Sequence, residues 1–590
     1  MSTQLGMDRV SSQVLQNLGT VLQTTQRYSP QLFSRFAKAC WNLLQTYLVS
    51  MDVRSKYYGL VFLFRELVLT FLQTYQTYRL SCLVPRLWMN NVMVALLVFN
   101  CWATPFLYHA FRSNAGLVRL AGALVNMLLD MVSYFGLPAA LLMPYANNID
   151  KNLKNFNRSF WYTDIWLIEM INEAQLIFVT SVFDAISKFL IALSVARGLY
   201  TMTKLLCTTD SLSRASISNV SLGRQTKLAA IVPAAISNLD EEQQISASTP
   251  RLLSMPRVEK AGRSFLLFWG FFVLIAHLHA SSLPSHPQCL LSTRPWFGSR
   301  PSCSLVEINC IEENAIGNGS EIDRLLQLFD ADRVEYLVIR HCASLQVPTR
   351  VQTLNQIFGL KIYNSTILEW GEEAAVTNTH HPALRFLFLV DVRLRELPIG
   401  MLSHDFPRKL KDVELSRTNL TKVPDNLDKI WLPGMYIAFE ECQLQEFPLT
   451  VLRLRPPDLS FGANSITTLP NELLEGFHLR VLLLSGNPIR HFPSKLAQLP
   501  QITWFDLIGT SLESLPDWMD ETYLASTFIL AGQTPLCDRL VAAGDASSDE
   551  PRALVGIPGI DCTLGFIGNG SYNWYPIDDE MSRNPSYSLS

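Results

Sequence analysis

Charge is scarce in this 590-residue chain. Asp, Glu, Lys and Arg make up 17% of it, against about 25% in ordinary soluble domains. Together with a mean hydropathy of +0.17, that scarcity excludes a wholly disordered or wholly soluble chain. Glycine and proline, at 28 and 31 residues, are too few and too aperiodic for a collagen-like or low-complexity protein, and eleven cysteines in this length exclude a small disulfide scaffold. Catalytic signatures are missing as well: there is no glycine-rich phosphate loop, no H-E-x-x-H, no C-x-x-C, no G-x-S-x-G and no kinase signature set. A non-enzymatic protein without cofactor or metal is therefore expected. The one His pair, His380 and His381, reads as solvated surface.

What is present divides into two unlike regions. Residues 1–280 carry 24 basic and 14 acidic side chains and residues 281–590 carry 24 and 37, a balance of +10 against -13. This asymmetry argues for different environments and against a nucleic-acid partner, which would need a basic folded surface. The first region holds five apolar runs close to the roughly 20 residues that cross a bilayer: Tyr57–Tyr78, Trp88–Tyr108, Leu117–Leu142, Leu176–Leu199 and Ser264–Ala280. Trp88 and Tyr108 bracket the second, and Trp161, Tyr162 and Trp166 precede the fourth, as side chains suited to a membrane interface do. Residues 1–56 are polar and lack a cleavable signal pattern, so an internal helix would start membrane entry.

Basic residues favour the cytoplasmic side, and the Ser/Thr-rich stretch 200–263, read as a mostly disordered loop, contains eight. Five spans place residues 1–56 and this loop in the cytoplasm, and everything beyond Ala280 outside the cell or in a lumen, with the plasma membrane as the expected location. The first run is interrupted by Arg65 and Glu66 and alternatively lies along the interface. Charged residues inside membranes are functional candidates by default. Here they are Arg65, Glu66, Asp130, Asp184 and Lys188. Asp184 and Lys188 are spaced to pair on one helix, whereas Asp130 has no evident local partner. Structural pairing within a bundle and an ion or proton path are both open.

The second region is periodic. Leu479, Leu482, Leu484, Asn487, Ile489 and Phe492-Pro493 follow the form L-x-x-L-x-L-x-x-N-x-L-x-x-L-P. So do Leu384, Leu387, Leu389, Leu394 and Leu397-Pro398. Further copies place Leu337, Leu360, Val413, Ile437, Leu459 and Phe505 at the equivalent of Leu482, with spacings of 22 to 27 residues. This pattern resembles the leucine-rich repeat superfamily over Val334–Pro516, with caps extending to about Cys289–Cys562. The implied fold is an N-terminal all-α multi-pass transmembrane bundle, with four spans in 57–199 and a fifth at 264–280. It is joined to a C-terminal α/β leucine-rich repeat solenoid of about eight repeats at 334–516, between a cap at 281–333 and a cap and tail at 517–590.

Cys342 and Cys442 occupy repeat turns and read as structural residues, neither bridged nor metal-binding. The T-P-L-C at Thr534–Cys537 resembles the end of extracellular arrays, which implies a Cys537–Cys562 bridge. At the front, Cys303 with Cys310 is the favoured pair, leaving Cys289 over. Sequons at Asn157, Asn318, Asn364, Asn419 and Asn569 fall on the expected lumenal side, and Asn219 falls in the cytoplasmic loop and should stay bare.

The repeat fixes which strand residues point away from the core. They include Tyr336, Phe386, Phe388, Asp412, Glu414, Tyr436, Glu440, Asp458 and Trp504. Exposed aromatics beside an acidic centre suggest a concave groove for a protein or peptide with apolar anchors and some basic charge. Aromatic ladders packing on one another across repeats account for the same residues. The overall reading is a receptor-like, adhesion or scaffold protein, with a co-receptor or second copy as possible partners. The rival is a channel or transporter regulated by its repeats, since some volume-regulated anion channels are similar in joining a helical bundle to a repeat array.

Overall fold

The apolar runs of the first half fold as rods that alternate in direction. The computed structural model describes residues 58–111, 115–150, 155–196, 198–199, 256–474, 478–542, 559–563 and 575–585. The expected segment 1–56, most of the loop 200–263, Asn219 and Asn569 lie outside these described residues. Helix α1 spans Tyr58–Leu83 and α2 Leu87–Ala110. Helix α3, Ala115–Met131, continues through a π turn at Val132–Gly136 into α4, Leu137–Asn147. Helices α5, Asp164–Ile177, and α6, 182–196, are joined at a 64° bend, and α7 covers Pro256–Ser281.

Side-chain contacts give the directions. Asn100 donates to Gln73 Oε1 at 2.7 Å, and Val84 C=O accepts from Asn90 Nδ2 at 2.9 Å, so α2 runs back along α1. Gln73 donates to Asp130 and Asn126 to Glu66, so α3 runs with α1. Arg65 donates to Ser194 and Arg79 pairs with Asp184, so α6 runs against it. Arg263 lies over the Tyr108 ring at 4.2 Å, and His277 meets Asn91 at 2.9 Å, so α7 opposes α2.

Among the described residues, three helices are long and apolar enough to cross a membrane: Leu87–Ala110, Leu124–Asn147 and Lys260–Ser281. The α5–α6 pair, bent by 64°, meets the same measure only when its two helices are counted as one span. The expected first span is not among them, because Arg65, Glu66, Gln73, Gln76 and Arg79 dilute its apolar run. The expected fourth span is two helices. Lys188 Nζ donates to the carbonyls of Leu176, Ile177 and Phe178 at 2.7 to 3.0 Å, and Asp184 accepts from the Thr180 N–H. The Asp184–Lys188 pair, 3.0 Å apart, thereby satisfies the backbone groups that a helix break leaves open. The last helix starts at Pro256, eight residues before the expected Ser264.

The second half is one sheet whose strands follow chain order. An antiparallel pair, β1 (Cys289–Thr293) and β2 (Ser302–Asn309), begins it. Parallel strands follow: β3 Tyr336–Arg340, β4 Gly359–Glu369, β5 Phe386–Arg393, β6 Asp412–Ser416, β7 Tyr436–Glu440, β8 Asp458–Ser460, β9 His478–Leu483, β10 Gln501–Asp506, β11 Phe528–Leu530 and β12 Ile560–Asp561. The strand alternation buries Leu337, Leu387, Val413, Ile437, Leu459, Leu482 and Phe505 in one continuous core.

Two of the turns beneath the strands are each held by a buried asparagine. Asn487 Oδ1 accepts from Ile466 N at 3.1 Å, and its amide donates to the carbonyls of Phe461 and Leu484 at 2.8 Å. Asn464 repeats the arrangement one turn earlier. Pro348, Pro398 and Pro448 each precede a short helical turn on the outer side, where a missing N–H costs nothing. The C-terminal half therefore has leucine-rich repeat architecture.

The bridges at the front differ from expectation. Cys289 bonds Cys303 and Cys310 bonds Cys342, while Cys537 bonds Cys562. Cys303 and Cys310 cannot meet because β2 runs between them, separating them by about 23 Å at roughly 3.3 Å per residue. Cys303 instead faces the neighbouring strand β1. Cys310 ends β2 beside the first repeat turn, where Cys342 sits. Cys342 is thus both a turn residue and a bridge, and Cys442 is a buried free thiol. His381 is buried too, its Nδ1 accepting from Thr377 N–H and its Nε2 donating to Val351 C=O, which corrects its reading as solvated.

Asn487→Ala would leave Ile466 N–H and Leu484 C=O without these partners, at about 1–3 kcal/mol each before relaxation, whereas Phe461 C=O keeps its bond from Asn464. The expected outcome is a loss of about 3 kcal/mol in local stability, read as faster amide exchange in β8 and β9 with little change in β3 and β4.

Candidate functional site

The strand phase aligns the expected concave residues in register, but the chain itself covers them. Tyr336, Phe388, Asp412, Glu414, Tyr436, Glu440 and Asp458 are buried, and Phe386 and Trp504 are half-buried. The expectation of exposed aromatics is corrected on two counts. Rings pack edge-on or tilted between neighbouring repeats, with centroid distances of 6.1 Å for Tyr336–Phe358, 6.5 Å for Phe358–Phe386 and 4.9 Å for Trp504–Phe528, and within β5 at 6.0 Å for Phe386–Phe388. Two distant segments then close the first half of the concave face.

The first cover is α5 with the turn before it. Leu167 and Ile168 pack onto Leu291, Leu305, Tyr336, Val338 and Phe358. The Tyr162 hydroxyl donates to Glu414 Oε1 at 3.1 Å. Gly359 is required here: a Cβ at that position would lie 2.1 Å from the Tyr336 ring. Asn172 Nδ2 donates to Glu335 Oε2 at 2.6 Å. Burial pushes the Glu335 carboxyl up to about 7, against the lowering effects of the Asn172 bond and the Arg333 charge.

The second cover is Tyr575–Asn584, which contains helix α8, Ile577–Arg583. Tyr575, Pro576, Ile577 and Glu580 are buried, whereas Asp578 and Asp579 face outward. The Tyr575 N–H donates to Glu440 Oε2 at 2.8 Å, and its ring meets Tyr162 at 5.0 Å and Phe388 at 6.2 Å. Lys361 is fully buried, with Nζ 2.6 Å from Glu580 Oε2 and 3.1 Å from Asp164 Oδ2. Burial opposes ionisation of Glu580, but the Lys361 ammonium outweighs it and holds the carboxyl below its usual range. The Tyr363 hydroxyl donates to Asn584 C=O at 2.6 Å, and Arg340, 2.8 Å from Glu307, also reaches Asn584 Oδ1.

Chemically, this groove receives a carboxylate. The acidic centre expected to attract basic charge is occupied otherwise: Glu414 and Glu440 take hydrogens from Tyr162 and Tyr575, and Asp458 pairs with Arg480 at 2.6 Å. Lys361, Arg340, Tyr363, Tyr575 and Glu580 were not among the sequence candidates. The available signal was Lys361, an ammonium in mid-strand where the neighbouring repeats carry Val338 and Phe388.

The remaining candidates fall as follows. Asp130 has partners, since Gln73 and Ser194 donate to it, and Arg65 reaches Ser194. Glu66 accepts from Asn126. Asn157 is exposed, and Asn318 caps a short helix from a half-buried position. Asn419 is half-buried, with Oδ1 accepting from Leu394 N. Asn364 is buried and bonded to both His341 and Asp391, which leaves no room for the expected glycan.

No protein-family model and no curated protein matches the chain. Solved structures similar to it are leucine-rich repeat proteins. One is from Leptospira interrogans, 19% identical over 38% of this chain and 53% of its own length, with a TM-score of 0.28. Another is TLR13 in its complex with ssRNA13, 16% identical over 40% of this chain and 32% of that one, at 0.31. A third is an octameric complex of Latrophilin 3, Unc5D and the repeats of FLRT2, 16% identical over 46% of this chain and 85% of that one, at 0.30. This chain thus spans about half the first protein and a third of the second. The architecture rests on the chain's own strands and turn bonds, because such low scores add nothing to it.

Glu335 makes the docking of α5 sensitive to pH. Its folded pKa lies above the unfolded 4.5, so its contribution is complete below about 4.5 and is lost as pH rises through 7. Glu335→Gln should raise the thermal midpoint at pH 8 by a few degrees, about 1–3 kcal/mol. At pH 4.5 variant and parent should melt together.

Proposed function

We propose that this is a multi-pass membrane protein that holds a leucine-rich repeat recognition module outside the cytoplasm. The observation that carries the reading is the inverted polarity of the bundle. Glu66, Thr70, Gln73, Thr77, Asn100, Asn126 and Asp130 are buried, whereas Phe64, Phe71, Phe99, Phe106, Leu128, Phe135, Phe189, Phe268 and Ile275 are more than half exposed. A water-soluble bundle would invert that arrangement, and lipid favours it. It also supports α1 as a crossing helix despite its composition, since its polar side chains turn inward and Phe64 and Phe71 turn outward.

The alternating rods support the orientation. The N-terminal ends of α1, α3 and α7 and the C-terminal end of α6 share one side, which in the proposed arrangement lies across the membrane from the repeats. Arg294 N donates to Ser81 C=O at 2.9 Å, and Trp296 meets Tyr78 at 5.9 Å, which seats the cap on the opposite end. Three disulfides in the repeat half suit an oxidising compartment. Protein recognition is the role that suits a repeat array of this kind, and the proposed location is the plasma membrane.

Glycosidase treatment of the full-length chain and of single Asn→Gln variants tests this. A mobility shift that depends on Asn318, Asn419 or Asn569, with none from Asn219 or Asn364, is expected. Modification of Asn219 together with bare repeats would reverse the orientation.

A second reading, transport by the bundle, draws on the buried polar line Asn100–Gln73–Asp130–Ser194–Arg65. If that line conducts, liposomes containing the purified chain should show proton or cation flux that Asp130→Asn abolishes. Equal flux from both forms would assign the line to packing alone.

A further inference from the structure

The proposal above leaves the groove occupied by Tyr575–Asn584 without a role. The groove carries an inference furthest, because it comes with an occupant whose chemistry can be read. We propose that the concave groove is a binding site for a short acidic helix led by an aromatic-proline pair, and that Tyr575–Asn584 is its resident, displaceable ligand. This rests on the recognition role argued above and supplies the class of partner.

The segment is bound as a ligand would be. Its two anchors sit at its start and middle: Tyr575 between Tyr162 and Phe388, and Glu580 on Lys361. Its backbone is engaged at both ends, by Glu440 at Tyr575 N and by Tyr363 at Asn584 O. These contacts come from strands β4, β5 and β7 and from Tyr162 before α5, so they depend on the stacked repeats together with the α5 cover and on no single repeat. Between the anchors Asp578 and Asp579 touch solvent while Ile577 is buried, so specificity resides in an aromatic, a proline, an aliphatic side chain and a carboxylate five residues after the aromatic.

The connection to the array is long enough for release. Residues 564–574, eleven in all, separate Thr563 from Tyr575, and at about 3.3–3.6 Å per residue they span up to roughly 40 Å. A tethered ligand of that kind competes at an effective concentration in the millimolar range. A partner segment of the same chemistry therefore meets a groove that is occupied but not sealed. Access requires either a tighter segment or a change that frees the resident one.

The test uses the full chain in detergent or nanodiscs and a fluorescein-labelled peptide of residues 575–585, followed by anisotropy. The intact chain should bind it weakly. The full-length double variant Tyr575→Ala, Glu580→Gln should bind it at least tenfold more tightly, because the resident segment loses both anchors. A peptide carrying Gln at the position of Glu580 should lose that gain, a control that leaves the protein unaltered. Lys361→Met in the double variant should also abolish binding.

Equal, weak binding by the intact and double-variant chains, with all three disulfides formed in both, would overturn the proposal. So would equal binding of the Glu and Gln peptides. The membrane reading fails separately: a chain with no glycan on any repeat sequon that still binds the peptide loses its orientation and keeps the groove. A glycosylated chain whose double variant ignores the peptide does the reverse.

Discussion

The ammonium of Lys361 is fully buried, and three parts of the chain converge on it: the strand that carries it, Asp164 at the start of α5, and Glu580 in α8. Taking such charges out of water is expensive, and a buried pair contributes little net stability against an apolar alternative. Removing one partner is nevertheless severe, since the other charge is stranded. The cluster therefore acts mainly on arrangement. It makes the bundle, the repeats and the 575–584 segment fit in one relative position, and the docking of α5 on Tyr336 and Phe358 supplies the apolar area around it.

That docking decides what the repeat surface can do. In an isolated array the inner face would be open, and the phase of its strands would make Tyr336, Phe388 and Tyr436 into exposed aromatics. Here Leu167 and Ile168 close the first repeats, and Tyr575 with α8 closes the middle. The later strands follow a different arrangement, in which Trp504 packs on Phe528 and Asp458 on Arg480. The molecule thus has one concave face with two characters: an occupied groove near the bundle, with the Lys361 ammonium among carboxylates, and a self-packed ladder toward the far cap.

The bundle follows a separate constraint. Its polar side chains pair with each other across helices, Asn100 with Gln73, Gln73 with Asp130 and Asn126 with Glu66, so few are left to face outward. Such bonds hold helices together where lipid offers no hydrophobic drive between them. The same logic explains the bend between α5 and α6, where Lys188 takes up three open carbonyls. The break in turn leaves α5 to one side as a separate rod with a face for the repeats.

The sequence by itself determined the local and periodic features. Alternation placed the strands at Leu337, Leu387, Val413 and their equivalents, the Asn and Pro positions marked the turns, and apolar length marked α2 and α7, because each of these depends on neighbours within one turn or one repeat. Only the tertiary structure decided the rest. The pairing of Cys310 with Cys342 needed two adjacent strands to bring their ends level. The burial of Asn364 needed the repeats on both sides, through His341 and Asp391, and that of His381 needed the earlier Val351 carbonyl. The reversal of the groove from an acidic face to a carboxylate receptor needed Lys361, Asp164 and Glu580, which are 197 and 219 positions apart. No local pattern encodes such a meeting, since charge preference at a surface is set by what packs against it, and here that is the chain's own distant segments.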